Sequence, residues 1–181
     1  SFFVRTFFTA PIFYILSNSC NAVIFAKLCP ASFKSVPILY EGDEYGSFSE
    51  GQMNAKKILI IYTGGTIGMV KTEAGYAPEK EKFHRLLDGI PELKAESMPQ
   101  WEIVDMDPLL DSSNITVHEW NAIGSLIAFH YDQYDGFVVL HGTDTMAYTA
   151  SALSFTLENN RKPVILTGSQ IPLCEVRNDA R

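Results

Sequence analysis

The sequence has little cysteine and no long apolar run, and each shortage excludes a class of protein. Its three cysteines, Cys20, Cys29 and Cys174, are scattered and show neither metal-ligand nor C-x-x-C spacing. This pattern is typical of a reducing compartment rather than of a disulfide framework, so we expect a cytoplasmic protein without a cysteine-held metal. We also expect no cofactor. The apolar run at residues 7–16 is shorter than the roughly 20 residues that a membrane-spanning helix needs, so we expect no membrane partner.

Positive charge is also scarce. Charged residues make up 19% of the chain, and the net charge is −7. Nucleic-acid binding requires clustered lysine and arginine, which an acidic chain without a basic stripe does not offer. What the chain does have is a 46% apolar content over 181 residues, enough for one folded domain with a sizeable core.

The first 52 residues differ from the rest. Residues 1–40 contain no acid, and residues 41–51 are polar and glycine-rich like a linker. Residues 7–16 follow Arg5 and superficially resemble the core of a targeting segment, which we keep as an alternative. Met53 stands just ahead of the first convincing strand. We therefore predict that residues 1–52 are an extension and linker, disordered or not native, and that residues 53–181 form the domain.

From Lys56 onward, apolar runs alternate with helical patterns. This alternation predicts an α/β fold of three layers, a mostly parallel sheet flanked by helices. The predicted strands are residues 57–62, 101–105, 136–140 and 163–167. The predicted helices are residues 80–87, a helix that begins at the capping box Thr116–Glu119, and residues 145–158.

Two of the strands end abruptly in glycine and threonine. The first runs into Thr63-Gly-Gly-Thr66 and the second into His141-Gly-Thr-Asp-Thr145. Because ligands bind beyond the carboxyl ends of parallel strands, we expect Thr66, Thr143 and Asp144 to lie near one another. Thr66 is then a candidate hydroxyl nucleophile, with neighbouring backbone N–H groups facing a developing oxyanion. Asp144 could hold a substrate ammonium, and Thr143 could position water or act as a second nucleophile.

Each candidate also has a purely structural interpretation. Tyr76, in a loop flanked by glycine and proline, could assist Thr66 or merely pack on the surface. Thr143, Asp144 and Thr145 could form an ordinary helix N-cap with an acid in the first turn. The polar run of Asp111, Ser112 and Ser113 could bind substrate or form the turn before the capped helix. None of the four histidines shows metal-ligand spacing, so we predict no metal.

Four ordered motifs resemble one known family. Residues 62–69 (YTGGTIGM) and 140–148 (LHGTDTMAY) resemble the two signature motifs of bacterial-type L-asparaginases. Residues 108–114 and 163–172 resemble the cytoplasmic, type I branch in particular. The resemblance covers roughly residues 56–181 and implies the Rossmann-like amino-terminal domain of that family.

The resemblance implies hydrolysis of L-asparagine to L-aspartate and ammonia, and it gives the site residues roles. Thr66 corresponds to the nucleophile, and Tyr76 to a lid tyrosine that hydrogen-bonds it. Thr143 corresponds to the second catalytic threonine, and Asp144 to the carboxylate that holds the substrate ammonium. Asp111, Ser112 and Ser113 correspond to the loop that binds the amino-acid end of the substrate, together with Thr143 and Asp144.

Members of the family also carry a catalytic lysine, a smaller carboxy-terminal domain and sites completed in a homodimer or homotetramer. The sequence has no such lysine after Lys162 and stops at Arg181. We therefore expect the 181 residues alone to be inactive. Two alternatives stay open. One is the ammonia-generating subunit of a tRNA-dependent amidotransferase, and the other is a non-catalytic module that binds amino acids.

Overall fold

The structure is a computed structural model that describes residues 56–73 and 75–180, and the backbone alone of residues 12–16 and 22–27. The strands of its main sheet are β1 (Ile12–Leu16), β2 (Ala22–Lys27), β3 (Lys57–Gly64), β6 (Gln100–Leu110), β7 (Gly136–Leu140) and β8 (Val164–Thr167). Their order in the sheet is β1-β2-β8-β7-β3-β6. The β6, β3, β7 and β8 strands are mutually parallel, whereas β2 pairs antiparallel with both β8 and β1. The predicted mostly parallel α/β sheet is confirmed, and all four predicted strands are present.

Within residues 56–73 and 75–180, three α-helices accompany the sheet: α1 (Lys80–Asp88), α2 (Val117–His130) and α3 (Met146–Thr156). The predicted capping box is confirmed at the start of α2, where Thr116 and Glu119 satisfy each other's backbone N–H groups. The helical spacing continues to Tyr134 in the sequence, but α2 ends at His130 and a 3-10 turn, Tyr131–Gln133, follows. Helix α3 ends two residues before the predicted boundary at residue 158.

Alternate residues of the central strands enter two separate cores, which explains the three layers. Leu59 and Ile61 of β3 pack with Phe137 and Val139 of β7 beneath α2 and α3. Their neighbour Tyr62 faces the other side of the sheet, where it packs with Phe83 of α1. A strand buried on both faces needs a continuous apolar run, as both β3 and β7 have.

A small antiparallel hairpin follows the first glycine–threonine turn. It consists of β4 (Met69–Thr72) and β5 (Gly75–Pro78). Tyr76 lies on β5 and is 48% exposed. The hairpin therefore leaves the Tyr76 side chain half exposed shortly after the first glycine–threonine turn.

The strands β1 and β2 were not among our predicted elements. Both are short runs rich in apolar β-branched and aromatic residues, a composition that suits strands. The rest of residues 1–52, including the predicted linker at 41–51, lies outside the described residues. Our interpretation of residues 1–52 as an extension that is disordered or not native stays a prediction.

Candidate active site

Four loops meet at the carboxyl end of the parallel strands because glycines let their backbones touch. A Cβ at Gly65 would stand 2.6 Å from the Gly142 backbone nitrogen, and one at Gly142 would stand 2.3 Å from Ser112 Oγ. Likewise, a Cβ at Gly168 would stand 2.1 Å from the His141 carbonyl oxygen. Any side chain would separate these loops. The sequence prediction that the two glycine–threonine turns lie together is thus confirmed by the contact of Gly65 with Gly142.

The turn that carries Thr66 is shaped by its backbone. Gly64 and Gly65 have φ values of 127° and 83°, which a residue with a Cβ rarely adopts. The Thr63 hydroxyl donates to the Leu140 carbonyl at 2.8 Å and so fastens β3 to β7 just before the turn. Thr66 then opens a 3-10 turn and is partly buried. Within residues 56–73 and 75–180, its hydroxyl has no hydrogen-bond partner, so it is available to a ligand.

The turn that carries Thr143 and Asp144 is held by side chains. Ser112 Oγ donates to Asp144 Oδ2 at 3.2 Å, and Thr145 Oγ1 donates to the Ser112 carbonyl at 2.6 Å. The Thr143 hydroxyl accepts a hydrogen bond from Gln170 Nε2 at 3.1 Å. Asp144 remains exposed, and its carboxylate can accept further donors such as an ammonium group.

The N-cap interpretation of this turn is confirmed for the position of Thr145 but not for a capping bond or an acid in the first turn. Residue Thr145 occupies the N-cap of α3, but its side chain makes no capping hydrogen bond, and the first turn contains no acid. Asp144 is instead paired with Ser112, which is 4% exposed and belongs to another loop. The carboxylate is therefore oriented by the site rather than by the helix it precedes.

The residues Asp111 and Ser113 lie at the rim of the site, and both are exposed. The Ser113 backbone N–H donates to Asp111 Oδ1 at 3.0 Å and holds the pKa of that carboxyl below its usual value. Asp111 thus caps the short 3-10 turn Ser112–Asn114, as the structural interpretation predicted. Of the predicted substrate loop, Ser112 alone makes a direct side-chain contact with the turn of Asp144 among the described residues.

Tyr76 does not contact Thr66 in the way that the resemblance implied. Its hydroxyl donates to Glu175 Oε1 at 2.5 Å, and this hydrogen bond raises the pKa of Tyr76. Glu175 belongs to residues 170–179, a loop that follows β8. The same loop contacts Thr143 through Gln170, and its Leu173 backbone N–H donates to the Ile67 carbonyl at 3.1 Å. It therefore touches both threonine turns, although the sequence alone gave it no predicted function.

His141 is a second residue that the sequence patterns underrated. Its ring is fully buried, with Nδ1 2.6 Å from the Gly142 carbonyl and Nε2 2.9 Å from Thr149 Oγ1 of α3. The Thr149 hydroxyl in turn accepts from the Trp120 indole N–H at 3.0 Å. Burial lowers the pKa of His141 and so keeps it neutral. A neutral ring that donates through Nδ1 and accepts through Nε2 completes this chain of hydrogen bonds from α2 to the turn.

A hydroxyl without a partner, an oriented carboxylate and glycine-rich backbone at one edge of a parallel sheet suit a reaction on a small polar substrate. The family description "Asparaginase, N-terminal" matches residues 57–181. The chain belongs to the asparaginase family. Residues 62–69 and 140–148, on which the sequence resemblance rested, lie within the matched range.

Relatives of this asparaginase-family chain are longer than it is. L-asparaginase 1 of Escherichia coli strain K12 is 56% identical over 129 residues, which are 71% of this chain and 38% of that protein. The crystal structure of L-asparaginase I from Vibrio cholerae is 53% identical, with a TM-score of 0.65, over 70% of this chain and 38% of that one. A glutamyl-tRNA(Gln) amidotransferase from Thermoplasma acidophilum has a subunit that is 36% identical over 70% of this chain and 30% of its own length.

The described residues contain neither a cluster of metal ligands nor a membrane-spanning helix. Their histidine, cysteine and acidic side chains do not gather into a group of three that could hold a metal. None of their helices has both the length and the apolar character needed to cross a bilayer.

Proposed function

We propose that this chain belongs to an amidohydrolase that hydrolyses L-asparagine to L-aspartate and ammonia. The chain is the part of that enzyme that carries the nucleophile. The observation that carries the proposal is the contact between Gly65 and Gly142, which brings the Thr66 turn against the turn of Thr143 and Asp144. The names of the relatives at 56% and 53% identity point to the same substrate.

In the proposed reaction, Asp144 binds the substrate's α-ammonium while Ser112 and the rim residues Asp111 and Ser113 accommodate its amino-acid end. Thr66 Oγ attacks the side-chain amide carbon, and the proton that it loses is passed, with the assistance of Tyr76, to the amide nitrogen. Backbone N–H groups of the glycine-rich turns stabilise the oxyanion that forms. The nitrogen leaves as ammonia, and water aligned by Thr143 hydrolyses the resulting Thr66 ester.

The amidotransferase alternative receives less support. The amidotransferase relative is 36% identical, against 56% for the Escherichia coli L-asparaginase. The net charge of −7 is also unfavourable for a tRNA substrate. We also propose a cytoplasmic protein, and the family resemblance implies that the full-length protein works as a homodimer or homotetramer. A solved structure described as a probable cytoplasmic L-asparaginase of Campylobacter jejuni, 29% identical to this chain, agrees with that location.

The test is ammonia release from L-asparagine by these residues joined to an asparaginase carboxy-terminal domain with its catalytic lysine, compared with the Thr66→Ala variant. The 181 residues alone are measured alongside, and we expect them to be inactive. Loss of the nucleophile should lower kcat at least about a thousandfold, because the covalent route is then closed. Thr63→Ala is the matched control. It removes a hydroxyl that is buried and already bonds the Leu140 carbonyl, so turnover should persist.

A stalled intermediate separates catalysis from binding. Rapid quenching followed by mass spectrometry should find an aspartyl ester on the peptide that contains Thr66. Equal ammonia release by the parent and Thr66→Ala would overturn the assignment of the nucleophile. Calorimetric binding of asparagine without any turnover would instead favour the non-catalytic binding module.

A further inference from the structure

The Thr143 hydroxyl differs from the other bonded threonine hydroxyls of the two turns in the direction of its hydrogen bond. The hydroxyls of Thr63 and Thr145 each donate their proton to a backbone carbonyl. The Thr143 hydroxyl instead accepts from Gln170 Nε2 at 3.1 Å, and among residues 56–73 and 75–180 its own proton has no acceptor. Thr63 and Thr145 therefore fasten segments together, whereas Thr143 keeps its proton available to a ligand.

Gln170 stands opposite Thr143 because of the register of two parallel strands. Strands β7 and β8 end with Leu140 paired to Thr167, and Thr143 and Gln170 each follow that pair by three positions. The two segments stay close beyond the strands, since a Cβ on Gly168 would stand 2.1 Å from a backbone oxygen at the start of the Thr143 turn. Gln170 thus reaches the site from the strand next to the one that leads to Thr143.

The backbone of Gln170 is held in place although its side chain is exposed. The N–H groups of Gln170 and Ile171 donate to the two carboxylate oxygens of Asp179, at 2.9 and 3.0 Å. The hydroxyl of Ser169, which is 1% exposed, donates to the Ile171 carbonyl at 2.7 Å. The Gln170 amide therefore extends from a fixed point of the loop, and from there it can set the direction of the Thr143 hydroxyl.

We propose that Gln170 is the positioning residue of Thr143 in the hydrolysis of the Thr66 ester, an inference that rests on the proposed function. A threonine hydroxyl has one proton and two lone pairs. The Gln170 N–H occupies one lone pair, so the proton and the second lone pair have defined directions. Because Gln170 offers a donor here, Thr143 cannot turn its proton towards the loop and away from the site.

The second lone pair of Thr143 orients the attacking water. A water molecule that donates one proton to Thr143 Oγ keeps a lone pair of its own for the ester carbon. The water oxygen bonds to that carbon, the bond from the carbon to Thr66 Oγ breaks, and the proton that the water loses ends on Thr66 Oγ. Gln170 transfers no proton and acts through Thr143. Its effect should therefore appear after ammonia has left, when the ester is hydrolysed.

The first experiment detects the contact without catalysis. The side-chain amide of Gln170 is followed by proton–nitrogen NMR in the 181-residue protein labelled at glutamine, and its signals are assigned by their loss in Gln170→Ala. Because a hydrogen-bonded amide proton resonates downfield, Thr143→Val should shift one Gln170 signal upfield. Thr66→Val is the matched control. The Thr66 hydroxyl has no partner among the described residues, so its loss should leave the Gln170 signals unchanged.

The second experiment measures kinetics in these residues joined to an asparaginase carboxy-terminal domain. Gln170→Ala should lower kcat about tenfold, the effect of one lost hydrogen bond, and should lower KM by the same factor. The ratio kcat/KM should not change, because it reports only the steps up to ammonia release. Rapid quenching should find more aspartyl ester on Thr66 than in the parent. Gln170→Glu keeps the shape but its carboxylate only accepts hydrogen bonds, so it should behave like Gln170→Ala.

The outcomes distinguish the two proposals. In a Thr143→Val background, Gln170→Ala should have no further effect, because its partner hydroxyl is already gone. A loss in kcat/KM as large as that in kcat, full kcat in Gln170→Glu, or Gln170 signals that Thr143→Val does not move would each overturn the positioning role. A joined parent protein that releases no ammonia from asparagine would overturn the proposed function instead. In that case the NMR comparison still decides whether Gln170 holds Thr143.

Discussion

The two glycine–threonine turns look alike in the sequence but are stabilised in different ways. The Thr66 turn depends on backbone geometry, namely positive φ values at Gly64 and Gly65 and their close approach to neighbouring loops. The turn of Thr143 and Asp144 depends on side-chain hydrogen bonds that reach it from α2, α3 and two loops. The first arrangement leaves its hydroxyl without a partner among the described residues, as a nucleophile requires, and the second orients polar groups, as a binding site requires.

The largest structural effect should come from Gly65→Ala, which disturbs the backbone geometry of the Thr66 turn. The new Cβ would combine an unfavourable φ of 83° with a distance of 2.6 Å to the Gly142 nitrogen. Strain and overpacking together should lower the free energy of unfolding by about 4 kcal/mol. Chemical denaturation measures this loss.

Gly75→Ala is the matched control for that variant. Gly75 also has a positive φ, 121°, but nothing lies within 4 Å of the position that its Cβ would take. Its cost should be the backbone strain alone, about 1 kcal/mol. Equal costs at the two positions would contradict the idea that contact between the loops defines the first turn.

Loss of the carboxylate from the turn of Thr143 and Asp144 should weaken substrate binding. In Asp144→Ala, an asparagine ammonium would lose its charged partner, so KM should rise at least about thirtyfold, equivalent to about 2 kcal/mol. Ser112→Ala keeps the carboxylate but removes its hydrogen bond, and should raise KM less. A larger effect for Ser112→Ala than for Asp144→Ala would reverse the assigned roles.

The network beneath the second turn should matter for stability. Thr149→Val deprives His141 Nε2 and the Trp120 indole of their buried partner, which should cost about 1–3 kcal/mol of unfolding free energy. Thr156→Val is the control, since this exposed hydroxyl bonds only carbonyls of its own helix. Both variants can be compared by denaturant unfolding at neutral pH, and equal stabilities would argue that the network is dispensable.

The smallest effect should be a pH dependence of stability from His141. Burial lowers its pKa in the folded state, so below about pH 6.5 the unfolded chain takes up the proton more readily. The unfolding free energy should therefore fall as the pH decreases from about 6.5 towards the lowered pKa of the folded state. In His141→Gln this slope should be reduced, and an unchanged slope would exclude His141 as its source.

Sequence reasoning succeeded where local patterns decide the structure. The strand β7 was predicted at its observed bounds because its apolar run ends at Leu140, just before the turn that contains Gly142. The start of α2 was predicted because Thr116 and Glu119 are three residues apart and satisfy each other. The meeting of Gly65 with Gly142 followed from a general rule about parallel strands, which requires no knowledge of side-chain contacts.

Sequence reasoning missed residues whose partners are distant in the chain. Glu175 and Gln170 look like ordinary loop residues until folding brings them to Tyr76 and Thr143. His141 was dismissed for lack of metal spacing, although its ring lies fully buried beside the second turn. A histidine that directly follows a buried apolar strand was the signal that could have revealed it.

The order of strands has a consequence for synthesis on the ribosome. The strand β3 is made early and lies inside the sheet, yet its neighbours β6 and β7 are synthesised about 40 and 80 residues later. Such distant pairing slows folding because long loops must close first. The Thr66 turn therefore leaves the ribosome long before residue 173, whose N–H reaches the Ile67 carbonyl. A chaperone that shields the β3 segment would protect that segment during this interval.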